Sequence, residues 1–221
     1  MPKRRTLDEK CVYCGKQGEL TDDHIPPKNL FPEPRPSNLI TVPSCSDCNV
    51  GASKDDEYFR LVLSMRHDTG DHPAVKGVQP SVIRSLGREK AIGLRKAVFD
   101  SINLRNVRTK SGICLGQENF IDVDLSRLDR VAARIARGLY FHEFNARLPL
   151  DRDVVAYSVD ELTGTSEFEK FKITVKDVTR RKPRIIGNNV FAYWFQPFQE
   201  DANATFWVLL FYERVAFICF T

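Results

Sequence analysis

No stretch of this 221-residue chain carries the roughly 18 to 20 consecutive apolar residues that a membrane-spanning helix needs. The most apolar segment, "FWVLLFYERVAFICF", is interrupted by Glu213 and Arg214. The N-terminal "MPKRRTLDEK" is basic, but no apolar run follows it, so no secretory signal is expected and a cytoplasmic location is the default. Internal repeats and low-complexity segments are also missing, which excludes solenoids and fibrous arrays. Hydrophobic residues at 42% and charged residues at 28% fit a globular chain able to bury a core.

The charge is weakly basic, +4 overall, and unevenly spread. Residues 1–60 hold nine Lys/Arg against ten Asp/Glu, and the remainder holds 24 against 19. A polyanionic partner would therefore be attracted mainly by the later part of the chain.

Four of the six cysteines form two C-x2-C pairs, "CVYC" (Cys11, Cys14) and "CSDC" (Cys45, Cys48), with 30 residues between them. Two such knuckles are the usual source of four thiolates for a tetrahedral Zn2+. Disulfides fit poorly in a reducing compartment, and a redox motif would explain only one pair. A four-thiolate site is closed, with no position left for substrate, so a structural zinc is expected. Cys114 and Cys219 lie in apolar contexts and read as small buried hydrophobes.

The staple encloses "ELTDDHI", which reads as a short strand ending at the adjacent pair Asp23 and His24. A proline-rich loop follows, then a β-branched strand "LITV". A helix starts at the second knuckle, with Tyr58, Phe59, Val62 and Leu63 at helical spacing. Adjacent strand residues point to opposite sides, so Asp23 and His24 can serve different tasks, and the prolines would fix the imidazole.

On Cys11, Cys14, Asp23, His24, Asn38, Cys45, Cys48 and Asn49, the first 60 to 65 residues resemble the HNH endonuclease family, a ββα-metal fold with a four-cysteine zinc staple. The resemblance implies that Asp23 and Asn49 hold a catalytic divalent metal, with Asp22 as an alternative to Asp23. His24 would be the general base, and Asn38 would hold the histidine loop through backbone hydrogen bonds. Asn49 stands where some members have histidine, which favours Mg2+ or Mn2+ over a softer ion. Hydrolysis of a phosphodiester needs an activated water and neutralised phosphate charge, and such a set would supply both. The implied substrate is double-stranded DNA, nicked once per active site, so a double-strand break would require paired sites, as in a homodimer.

Beyond the module, residues 66–80 are rich in turn formers and read as a linker, with His67 and His72 as loop histidines. Residues 81–221 read as an α+β domain that binds DNA or a partner. Its features are a helix over 81–102, a stronger helix over 126–144 and three C-terminal strands. In the second helix, Leu128, Val131, Ile135 and Leu139 share one face at about 100° per residue. Arg127, Arg130, Arg134 and Arg137 fall within a separate arc of about 80°. That stripe, Lys54, and Arg180 and Arg181 in "TRRKPR" are the candidate phosphate contacts, with a solvated charged face as the alternative. The whole chain is thus expected to be α+β, and the rival to an enzyme is an inactive zinc-stapled module that binds nucleic acid or protein.

Overall fold

The computed structural model describes residues 10–109 and 111–221. A first hairpin pairs β1 (Leu20–Ile25) antiparallel with β2 (Ile40–Cys45), and α1 (Ser46–Met65) follows at once. The chain continues through α2 (Pro73–Leu86), α3 (Ile92–Asp100) and a second hairpin, β3 (Ile102–Arg108) with β4 (Cys114–Ile121). The long α4 (Leu125–Phe144) then leads to β5 (Val155–Ser158), α5 (Val159–Leu162) and α6 (Ser166–Thr179). The remaining strands are β6 (Arg184–Ile186), β7 (Phe191–Pro197), β8 (Thr205–Phe211) and β9 (Val215–Phe220). The last sheet has the order β5-β9-β8-β7-β6 and is antiparallel throughout. The class is α+β, as the sequence implied. Among the described residues no helix is long and apolar enough to cross a membrane.

The centre of the molecule is explained by β8, "TFWVLLF", nearly all of which is buried. Side chains alternate across a strand, so an unbroken apolar run requires cover on both faces. Trp207, Leu209 and Phe211 pack into one cluster with α1 and α4, while Phe206 and Val208 pack into another with Leu162 and Val178 of α5 and α6. The first cluster also contains Ile25, Leu30, Phe31, Ile40 and Val42 from the N-terminal hairpin and its loop. Its spine is α4, whose buried Leu128, Val131, Ile135 and Leu139 form the expected face. The helix stops at Asn145, which takes the left-handed conformation (φ 49°) that favours Asn.

This shared core corrects the expected division at residues 66–80. Residues 73–86 are helical, and Ala74 and Val75 belong to the main core. Pro73 sits at the helix start, where its missing N–H costs nothing, and the His72 side chain caps the helix by accepting the Ala74 N–H. The proline and polar residues that predict a linker here open a helix. The single helix expected over 81–102 is two, α2 and α3, separated at Gly87 and a short 3-10 turn at Glu89–Ala91. The β3–β4 hairpin, β5 and β6 were not anticipated; the hairpin is solvent-exposed over most of its length, so it lacks the alternation that marks a half-buried strand.

Candidate functional site

The four cysteines of the two knuckles converge, with all their sulfurs within 4.8 Å of one another and Cys14 Sγ 3.6 Å from Cys45 Sγ. Tetrahedral Zn–S bonds of about 2.3 Å give sulfur–sulfur edges of about 3.8 Å, so the donor set fits a metal ion of that kind. The first knuckle is a tight turn in which the Gly15 and Cys11 amides bond the carbonyls of Cys11 and Lys16, with Gly15 at φ 74°. The second sits where β2 becomes α1: Cys45 is the helix N-cap residue and Cys48 lies in the first turn. The thiols compete for charge. Burial opposes ionisation of Cys11, yet amides of Cys45, Cys14 and Tyr13 bring it down to about 6. Burial, with the Cys45 and Cys14 thiols beside it, pushes Cys48 far up. A bound dication would relieve that conflict. Of the remaining cysteines, Cys219 is buried as expected, whereas Cys114 is exposed on β4.

Asp23 and His24 leave β1 on opposite sides. Asp23 is 5% exposed and points inward. Its Oδ2 accepts two hydrogen bonds of 2.6 Å, from the Tyr13 hydroxyl and from Arg134 Nη2. The guanidinium also reaches Asp56 through Nη1, at 3.2 and 3.4 Å, and lies 4.8 Å from the Tyr13 ring centroid. Burial raises Asp56 to about 6 although Arg134 opposes the shift. Tyr13 is held well above the usual phenol value, by burial first and by Asp23 second. Thus Tyr13, Asp23, Asp56 and Arg134 form one largely buried ionic cluster. Tyr13 and Asp56 were missed at the sequence level, because neither carries a spacing signal.

His24 is only partly buried. Desolvation lowers its pKa below the ordinary histidine value, the charges of Lys28 and Arg35 lower it further, and Asp23 and Asp22 pull the other way. At neutral pH the imidazole is therefore neutral and able to take a proton. Lys28 and Arg35, both from the proline-rich loop, are the cations whose charge reaches His24; Arg35 also pairs with Glu33 at 2.9 Å, and neither cation carries a spacing signal in the sequence.

The other expected site residues are placed differently. The Asn38 amide donates to the Ile185 carbonyl on β6 at 3.1 Å. It thereby ties the loop to the C-terminal sheet, which corrects its expected role within the histidine loop. Asn49 lies in the first turn of α1 and donates to Thr21 Oγ1 at 2.8 Å, on the same side of β1 as Asp23. Lys54 is exposed, and its carbonyl accepts from Arg127.

The arginine stripe of α4 is not a free phosphate surface. Arg127 and Arg130 both pair with Asp55, at 2.7 and 3.0 Å, and Arg127 also stacks 4.1 Å from the Tyr58 ring centroid. Arg134 is committed to Asp23 and Asp56, and Arg137 donates to the carbonyls of Leu148, Pro149 and Arg152. The stripe stands opposite the acidic Asp55–Asp56 pair of α1, so its charge welds two helices together. Arg180 pairs with Asp177 at 3.1 Å on the surface, and Arg181 is exposed beside Lys182 and Arg184 at the mouth of a shallow cleft.

Comparisons with protein-family models, with curated proteins and with solved structures give no match for this chain.

Proposed function

We propose that this chain is an HNH-type endonuclease that hydrolyses phosphodiester bonds in DNA, with His24 as the general base and a zinc ion on Cys11, Cys14, Cys45 and Cys48 as the staple that holds the ββα unit. The observation carrying this reading is the setting of His24. It is a neutral imidazole on the open side of β1, with Lys28 and Arg35 close enough to depress its pKa. A neutral imidazole can accept a proton from the attacking water, and the two nearby cations suit a phosphate group. Zinc would supply only rigidity there, since four thiolates close its coordination sphere.

Asp23 and Asn49 make a poor site for the expected Mg2+ or Mn2+. The Asp23 carboxylate is inward-facing and already bonded to Tyr13 and Arg134, so it does not fit the role of an open metal ligand. The same observation favours a second reading, a zinc-stapled module that binds nucleic acid without cutting it.

A supercoiled-plasmid assay on the zinc-loaded full chain separates the two. Nicking by the wild type that disappears in His24→Ala supports the hydrolase, and the comparison of Mg2+, Mn2+ and EDTA tells metal-assisted from metal-independent cleavage. Wild type and variant equally inert, with zinc retained and salt-dependent DNA binding intact, would instead select the binding module.

A further inference from the structure

We propose that Arg134 is the resident cation of the Asp23 site and that its guanidinium keeps Mg2+ and Mn2+ out. The two carboxylates nearest this position, Asp23 and Asp56, are spanned by one side chain. Nη2 meets Asp23 at 2.6 Å and Nη1 meets Asp56 at 3.2 Å. The side chains are 7%, 15% and 14% exposed for Asp23, Asp56 and Arg134. The fork is backed by the ring of Tyr13, whose hydroxyl donates to the same Asp23 oxygen.

A small dication asks for near-octahedral oxygen ligands and keeps several waters. Here the shared carboxylate oxygen, Oδ2, already accepts from an N–H and an O–H, and the planar cation that donates to it lies 4.8 Å from the Tyr13 ring centroid. Admitting the ion would require breaking the fork and placing two like charges side by side in a largely dry setting, where repulsion is weakly screened. Arg134 reaches the site from α4, 111 residues along the chain from Asp23. It is therefore a positioning residue that makes Asp23 an anchor between the hairpin and the rest of the core.

The test reads ion binding rather than cleavage, so it can fail separately from the endonuclease reading. Zinc-loaded wild type, Arg134→Gln and the double variant Asp23→Asn/Arg134→Gln are titrated with Mn2+, and the free-ion electron paramagnetic resonance signal is followed. Zinc content and a cooperative thermal transition verify folding. The expected result is no Mn2+ retained by the wild type, one ion per chain retained by Arg134→Gln, and none by the double variant. Retention of one Mn2+ by the wild type that Asp23→Asn abolishes would overturn the inference, as would a folded Arg134→Gln that retains none. Should the variants not fold, the wild type alone decides by NMR. An Arg134 Nε–H resonance that stays sharp at saturating Mn2+ supports the inference, and one that broadens away refutes it.

Discussion

The hydroxyl of Tyr212 donates to the carbonyl of Leu30 at 2.8 Å, across 182 residues of sequence and in a buried setting. Tyr212 holds a left-handed conformation (φ 49°) at the β8–β9 turn, and Leu30 lies in the loop that carries His24's neighbouring Lys28. Removing the hydroxyl strands a buried carbonyl, a loss of about 1–3 kcal/mol. Tyr212→Phe is therefore expected to lower the urea midpoint with an unchanged m-value. A midpoint equal to wild type would mean that the hydrogen bond does not couple the two regions.

The shared core leads to a stronger expectation for residues 1–65 produced alone. Ile25, Leu30, Phe31 and Phe59 would lose the cover that α4 and the C-terminal sheet provide. Even with its metal, such a fragment should show narrow amide dispersion by NMR and no cooperative melt. A sharp, two-state transition of the zinc-loaded fragment would restore the picture of a separable module.

That contrast shows what was legible in the sequence and what was not. The cysteine knuckles, β1, β2, α1 and α4 were readable because each follows from local spacing, C-x2-C, period 2 or period 3.6. The destinations of Arg127, Arg130, Arg134 and Asn38 were not, because the three arginines pair with carboxylates 72 to 111 residues away and Asn38 bonds a carbonyl 147 residues away. A basic stripe on a helix carries the same pattern whether it faces phosphates or the carboxylates of another helix. The "KDDE" of α1 was the available clue, an acidic pair that α4 could neutralise. Residues 66–80 were misread because Pro73 and His72 begin a helix with the same residue types that make a turn.

Metal content should follow the four knuckle cysteines and no others. Cys45→Ser or Cys48→Ser is expected to lose zinc, measured by inductively coupled plasma mass spectrometry, together with the cooperative thermal transition. Structural zinc contributes folding free energy directly, so chelation should depress the melting temperature of the wild type. Cys114→Ser, on the exposed hairpin, should keep full zinc and full stability. Loss of zinc in that variant would displace the proposed ligand set.

At Gly138, α4 packs directly against Ile25 of β1. A Cβ built there would stand 2.7 Å from Ile25 Cγ1 and 2.8 Å from its Cδ1. Overpacking of a close contact costs about 1–3 kcal/mol, so Gly138→Ala should be destabilising despite its better helix propensity. Pairing it with Ile25→Val, which removes one clashing methyl, should recover part of the loss in a double-mutant cycle. Strict additivity would place the cost elsewhere in α4.

Asp129 supplies a pH test. It lies on α4 with Oδ1 buried and without a hydrogen-bond partner among the described residues. Burial raises its pKa to about 6, Glu161 adds to the rise and the Ser158 backbone opposes it. The unfolded value is about 3.9, so between these values the native state binds the proton more tightly than the unfolded chain does. Stability from this group therefore falls as pH rises through that window, and the penalty is fully present above about pH 7. Asp129→Asn removes the charge and keeps the shape. The variant should be more stable than wild type by about 1 kcal/mol at about pH 8, a figure discounted from the full shift because the side chain is partly solvated. The advantage should shrink on acidification and vanish below about pH 3, where the carboxyl is protonated in both states. Paired urea titrations at several pH values test this, and an advantage that instead grows toward low pH would show that the Asp129 carboxylate is stabilised, not strained, in the folded protein.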